Sequence, residues 1–183
     1  MKYIIYAGLM SRVSQAQARE NRRQVVETAA RLFRERGVAQ VSVADVMAGA
    51  GLTHGGFYKQ FTSKDALAVE ALTRGLAEVA ERLARIAQPS DRAAFLDHYL
   101  SPDHRDSPGA GCPIAGFARD LPGANPDLVT TYADGVEYYA DKLGDLTAVS
   151  TAVGALILAR ATAGTDLSDR ILAEAVAALT NDS

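Results

Sequence analysis

Apolar residues recur at intervals of three and four along almost the whole chain. Val25, Ala29, Leu32 and Phe33 mark one such stretch, and Leu67, Leu72, Leu76, Val79, Leu83 and Ile86 mark another. That is the period of an amphipathic helix, and the alternation a half-buried strand needs is scarce, so the chain is held to an all-α fold. Glycine and proline then cut the pattern into pieces. A first helix is expected over residues 17–36, stopped at Gly37, which reaches the left-handed conformation that ends helices. Ser42 with Asp45 three positions on is a capping-box pattern, so a second helix begins there and runs to Ala50 and Gly51. Thr53 is placed as the cap of a third, very short helix ending near Phe61, and Ser63 as the cap of a fourth reaching residue 87. Further helices are expected over 91–100, from Pro113, over 126–143 with Gly144 as the stop, over 146–163 and over 168–179, with a polar loop across 101–111.

At 48% hydrophobic and 22% charged residues, the 183-residue chain has the composition of a globular protein and not of a disordered one. The single Cys112 excludes an intramolecular disulfide framework and a CxxC zinc site and suits a reducing cytoplasm. No apolar run approaches the ~18 residues that span a bilayer, so no membrane partner is expected. The apolar opening is short and lacks a signal-peptide cleavage pattern, and residues 1–13 are read as a disordered extension with Met10 as a possible start. Residues 14–62 and 63–183 are read as two helical domains.

Charge separates those domains. The formal net charge is −3, but residues 1–64 carry ten basic groups against four acids, whereas the remainder carries nine against eighteen. A basic module that meets a polyanion, joined to an acidic module with another task, explains the asymmetry. Within the basic part, two short helices joined through Gly51 match a helix-turn-helix: Val46, Leu52, Phe57 and Phe61 can fill the core beneath, leaving the polar face of the second helix for a major groove. Tyr58, Lys59 and Lys64 are donors suited to phosphate oxygens. Gly55 and Gly56 cost a helix about 1 kcal/mol each relative to alanine, a loss that makes sense where backbone must approach DNA closely; His54 beside them can meet a base edge. Arg12, Arg19, Arg22 and Arg23 are read either as sequence-independent attraction for DNA or as a solvated helix face.

The segment ADVMAGAGLTHGGFYKQFTSKDAL, residues 44–67, together with Gly37 and Ser42, resembles the DNA-binding signature of TetR-family (TetR/AcrR) transcriptional regulators. The resemblance runs from about residue 22 to 72. It implies a helix-turn-helix domain followed by a larger helical domain for ligand binding and dimerisation, and repression relieved by a small molecule. Carried over position by position, the DNA-facing residues are Ser42, Val43, Thr53, His54, Gly55, Gly56, Tyr58, Lys59 and Lys64. The implied partners are a palindromic double-stranded operator, an unidentified small-molecule effector and a second copy of the chain; no cofactor is implied. By the same analogy the effector pocket lies within residues 92–160, with Phe95, Tyr99, Cys112, Ile114, Phe117, Tyr132, Val136, Tyr139 and Leu156 as its expected lining.

The last two helices are the expected dimer contact, with Ala148, Ala152, Gly154, Ala155, Ala159 and Ala163 as small close-packing residues among apolar bulk. Cys112, at a helix start with His104 and Arg105 in the preceding loop, is read either as packing or as an oxidant or electrophile sensor. His98 and His104 do not share the i, i+4 face of a zinc helix, so no metal site is expected, and no catalytic set is legible. The expectation is a cytoplasmic, homodimeric, non-enzymatic regulator. The alternatives are a helical enzyme using Cys112 and a sequence-nonspecific architectural DNA-binding protein.

Overall fold

A computed structural model describes the backbone of residues 2–181 and the side chains of residues 14–180. Among the described residues the fold is all-α, with helices α1 (Lys2–Arg36), α2 (Val43–Gly49), α3 (Lys64–Leu83), α4 (Pro89–Tyr99), α5 (Pro102–Asp106), α6 (Pro113–Phe117), α7 (Pro126–Leu143), α8 (Leu146–Ala161) and α9 (Asp166–Asn181), and a 3₁₀ helix at His54–Lys59. No single one of them is long and apolar enough to cross a membrane.

The stops fall where backbone freedom is needed. Gly37, Gly51 and Gly144 all have positive φ, at 87°, 70° and 120°, and the Gly37 N–H closes α1 on the Phe33 carbonyl at 2.8 Å. α1 is longer than expected: its backbone helix carries on through the stretch read as a disordered extension, while the side chains of residues 1–13, Arg12 included, lie outside the described residues. α3 ends at Leu83, short of residue 87, and the loop expected over 101–111 contains α5, where the Ser101 hydroxyl accepts the His104 N–H and Pro102 occupies the first turn.

Two apolar cores lie along the molecule. The first gathers Val25, Ala29 and Phe33 of α1, Val46 and Met47 of α2, Phe57 and Phe61, and Leu67, Ala71 and Leu72 of α3, together with Phe117 and Leu128. The second gathers Leu83, Leu96, Tyr99, Ile114, Tyr139, Leu143, Leu156 and Leu172. α3 therefore serves both, giving Leu67, Ala71 and Leu72 to the first core and Leu83 to the second.

Arg34 joins the two parts. It belongs to α1, is only 7% exposed, donates from Nε to the Gly109 carbonyl at 2.8 Å and pairs with Glu78 of α3 at 3.7 Å. Gly75 and Gly116 leave room for it: a Cβ on either would stand 2.7–2.9 Å from the Arg34 side chain. Burial pulls the guanidinium pKa down and Glu78 opposes the shift, so the charge is kept by its partners.

Candidate nucleic-acid interface and effector cleft

The part of the molecule built on the first core, here called the head, is assembled by local rules. At the start of α2 the capping box is complete: Ser42 Oγ accepts the Asp45 N–H at 3.1 Å, and the Asp45 carboxylate accepts the Ser42 N–H at 2.8 Å and its hydroxyl at 2.6 Å. These bonds, first that from the Ser42 hydroxyl, hold the Asp45 pKa below the ordinary carboxylate value, helped by Arg36 and Lys64 nearby. After α2 the Gly51 turn closes with Leu52 N–H on the Met47 carbonyl at 2.9 Å. The next element is 3₁₀ rather than α, and Thr53 stands at its N-cap position without a side-chain bond to it. Two adjacent glycines explain this, since they remove the side-chain packing that favours a regular α turn.

Phe57 and Phe61, stacked at 5.4 Å, seal that element to the core, with Leu52 half-buried beside them. Its other face is open. Thr53, His54, Gly55 and Lys59 are exposed, Gly56 is half-buried, and Tyr58 is 70% exposed, edge-on to Phe57 at 5.1 Å and to His54 at 6.3 Å. A Cβ at Gly55 would meet nothing within 4 Å, so folding does not call for glycine there. Ser42 is exposed, Lys64 half-exposed, and Val43 partly buried against the head core. Of the DNA-facing positions carried over from the resemblance, Val43 and Ser42 are thus also engaged in packing and capping.

Of the eight described basic residues of the first third, four are paired with carboxylates within the fold: Arg22, Arg23, Arg31 and Arg34. Arg22 forks onto Glu70 at 2.6 and 2.8 Å, donates to the Gln60 carbonyl at 2.9 Å and lies 4.2 Å over the Phe61 ring. Arg23 is held by Glu20 and Glu27, and Arg31 by Glu35. Arg22 therefore fastens the end of the 3₁₀ element to α1 and α3, whereas Arg23 pairs along the exposed face of α1 itself. Among the described residues of this segment, Arg19, Arg36, Lys59 and Lys64 form no ion pair. Arg36, which the sequence reading counted only as charge, sits with Lys64 near the start of α2.

In the acidic part a cleft of about 30 Å³ lies between α3, α4, α7 and the segment before α6. Phe95, Tyr99, Cys112 and Tyr139 of the expected lining face it. The other five do not. Ile114 and Leu156 are fully packed in the second core, Val136 packs against that core, Tyr132 donates its hydroxyl to the Ile114 carbonyl at 3.0 Å, and Phe117 belongs to the head core, edge-on to Phe33 at 6.2 Å. Helical spacing does not separate a pocket wall from a core face. The polar lining, Glu78, Arg82, His98 and His104, was not anticipated as part of a pocket.

His104 organises this site. Its Nε2 accepts the Cys112 N–H at 3.0 Å while Nδ1 faces the Tyr99 carbonyl at 2.6 Å, which fixes the neutral tautomer with hydrogen on Nδ1. Burial lowers its pKa, the Tyr99 carbonyl partly opposes, and Arg160, His98 and Arg82 add to the lowering. Both ring nitrogens are thus used by backbone groups, and the Cys112 thiol instead lies 3.6 Å from the Tyr139 hydroxyl. The nucleophile-and-base pair required by an enzyme using Cys112 and His104 is not assembled. Arg105, expected as a neighbour of Cys112, is held by Asp106, Asp169 and Ser168. Burial and then Cys112 raise the pKa values of Tyr99 and Tyr139 well above the usual phenol value, so both remain neutral hydroxyls.

Residues 25–71 match the profile of the bacterial regulatory proteins, tetR family. That stretch is similar to the tetR-family regulators and covers about a quarter of the chain. It is similar to the HTH-type transcriptional regulator TtgR of Pseudomonas putida, with 40% identity over 82 residues, a match covering 45% of this chain and 39% of that protein. The chain thus spans well under half the length of that relative. A TetR transcriptional regulator from Chloroflexus aurantiacus superposes with a TM-score of 0.73 at 25% identity over 91% of this chain and 95% of that one. NemR of E. coli in its reduced form gives 0.74 at 19% identity, over 88% and 96%, a likeness of fold. The exposed face of residues 53–59 lies within the stretch that matches this profile.

Proposed function

We propose that this chain is a sequence-specific DNA-binding transcriptional repressor that works as a homodimer and leaves its operator when a small molecule enters the cleft. The observation that carries the reading is the open face of residues 53–59. Tyr58 stands 70% exposed above a sealed aromatic core, Gly55 has no steric reason to be glycine, and Lys59 and Lys64 have no carboxylate partner. A face so built has donors for phosphates and a bare backbone for close approach. Lys59, Lys64, Tyr58, Thr53 and the Ser42–Val43 start of α2 position the head, and His54 and Gly55 meet base edges.

One short element reads few base pairs, so two heads are needed, about 34 Å apart along the duplex. The dimer contact is α8 with α9. The alanines expected there, Ala148, Ala152, Ala155 and Ala159, turn inward and are buried in the protomer's own core. The opposite face exposes Ile157 and Leu158, the latter at 57%, with Leu146 and Leu167 nearby in sequence and Gly154 leaving open space. An α-helix apolar on all sides demands a cover, and a second copy supplies it. Arg160 ties α8 to the cleft by donating to the His104 and Arg105 carbonyls at 3.0 and 3.1 Å, and Glu78 ties the cleft to Arg34 of α1. A ligand that favours one setting of these links shifts the spacing of the heads; one that binds both settings equally shifts nothing. The task places the protein in the cytoplasm and calls for no catalysis. Selection of bound sites from random DNA tests the proposal: a palindromic consensus is expected, and affinity indifferent to sequence would leave the architectural reading instead.

A further inference from the structure

The hydrogen-bond account of the cleft does not balance. Glu78, its one carboxylate, is engaged by Arg34 at 3.7 Å and Arg74 at 3.3 Å. His104 has both nitrogens on backbone groups. What is left over is a set of donors. The Tyr99 hydroxyl is buried, its residue 4% exposed, and beside the weakly bonding Cys112 thiol it has no oxygen or nitrogen partner among the described residues. The Arg82 guanidinium faces the same cleft and forms no ion pair or hydrogen bond among the described residues. Beside them Val79 and Phe95 are apolar, Phe95 stacking on Tyr99 at 5.8 Å.

Buried polar groups without partners are rare and costly, and a charge-assisted pair with a guanidinium is among the stronger bonds a ligand can make. We infer that the cleft takes a small organic carboxylate, one oxygen accepting from the Tyr99 hydroxyl, the charge met by Arg82, and a short apolar body along Phe95 and Val79. The free space of about 30 Å³ holds little more than the carboxylate itself, so the body occupies the mouth, where Arg82 and His98 are exposed. This assigns a chemical class to the effector and rests on the regulator reading only for the consequence of binding, since the cleft and its donors stand without it.

The test uses the full chain without DNA and three matched probe pairs: butyrate and butyramide, benzoate and benzamide, phenylacetate and phenylacetamide. Ligand-observed NMR and thermal melting should show at least one acid binding while its amide binds at least about tenfold more weakly. Arg82→Gln should weaken that acid about tenfold and remove its salt dependence. Tyr99→Phe should weaken it severalfold while melting no lower than the wild type, because the hydroxyl it removes has no oxygen or nitrogen partner in the fold. Amides binding as well as acids, or no acid binding at about 10 mM, where even a millimolar ligand registers, overturns the inference. Operator release is measured separately on the same samples: an acid that binds without releasing DNA counts against the regulator reading and leaves the carboxylate site standing.

Discussion

Gly55→Ala separates folding from DNA recognition in a single methyl group. The position has no positive φ and nothing within 4 Å of where the Cβ would stand. The folded state therefore accepts alanine without strain, and the unfolded chain loses freedom, which favours folding by about 0.4–1 kcal/mol. For a chain of this size that raises the melting temperature by roughly 1–4 °C. On the DNA the same methyl lies on the open face of the 3₁₀ element, where phosphates or base edges must approach the backbone and cannot yield. Holding the duplex off by part of an ångström forfeits at least one good contact, about 1.4 kcal/mol or tenfold in Kd. Thermal melting and fluorescence anisotropy on one selected site at fixed salt read the two effects side by side. A variant that melts higher and binds ten times more weakly meets the expectation. One that melts higher and binds as well as the wild type refutes the placement of Gly55 against DNA.

Lys59→Ala and Lys64→Ala should each weaken binding by a similar factor on every DNA sequence and lower the slope of log K against log salt by about 1, as titrations between 50 and 200 mM salt would show; a change in sequence preference instead would move these lysines to the bases. Arg34→Met should lower stability by about 1–2 kcal/mol, because a charged donor to the Gly109 carbonyl is lost (about 1.5–3 kcal/mol) while relief of the buried charge offsets part of it and the half-exposed Glu78 contributes little. Urea unfolding with an unshifted midpoint would show that Arg34 does not anchor α1 to the cleft segment. Acid should also weaken the fold through His104, whose pKa is lowered from 6.5 in the folded chain. Above pH 6.5 neither state holds that proton and its contribution is complete; below it the unfolded chain takes up a proton the folded chain refuses, so stability falls with pH until the folded pKa is passed. His104→Gln should flatten the stability curve just below pH 6.5, and an equally steep curve in the variant would assign the loss to other groups.

The features legible in the sequence were those that act over a few residues. Gly37, Gly51 and Gly144 stop or turn the chain because their own φ is positive, and Ser42 with Asp45 caps α2 within one turn. α5 was missed although Ser101 and Pro102 repeat the cap-and-proline signal that marked α7 at Asn125 and Pro126, because it lasts five residues. Charge counting located the basic segment but not which of its cations are free: Arg22 and Arg34 find Glu70 and Glu78, 48 and 44 positions on, a pairing no local pattern announces. The cleft was the least legible part. Ile114, Phe117 and Leu156 share the helical spacing of true lining residues but point into the two cores, whereas Arg82 and His104, which give the cleft its character, are polar residues whose neighbours come from other helices.

Binding-site selection from random DNA tests the central claim most directly. The account predicts a palindromic consensus whose half-sites lie about one helical turn, or a multiple of it, apart, and a His54→Ala protein that selects an altered half-site of the same spacing. Recovery of no consensus, with affinity set by salt alone, would contradict it.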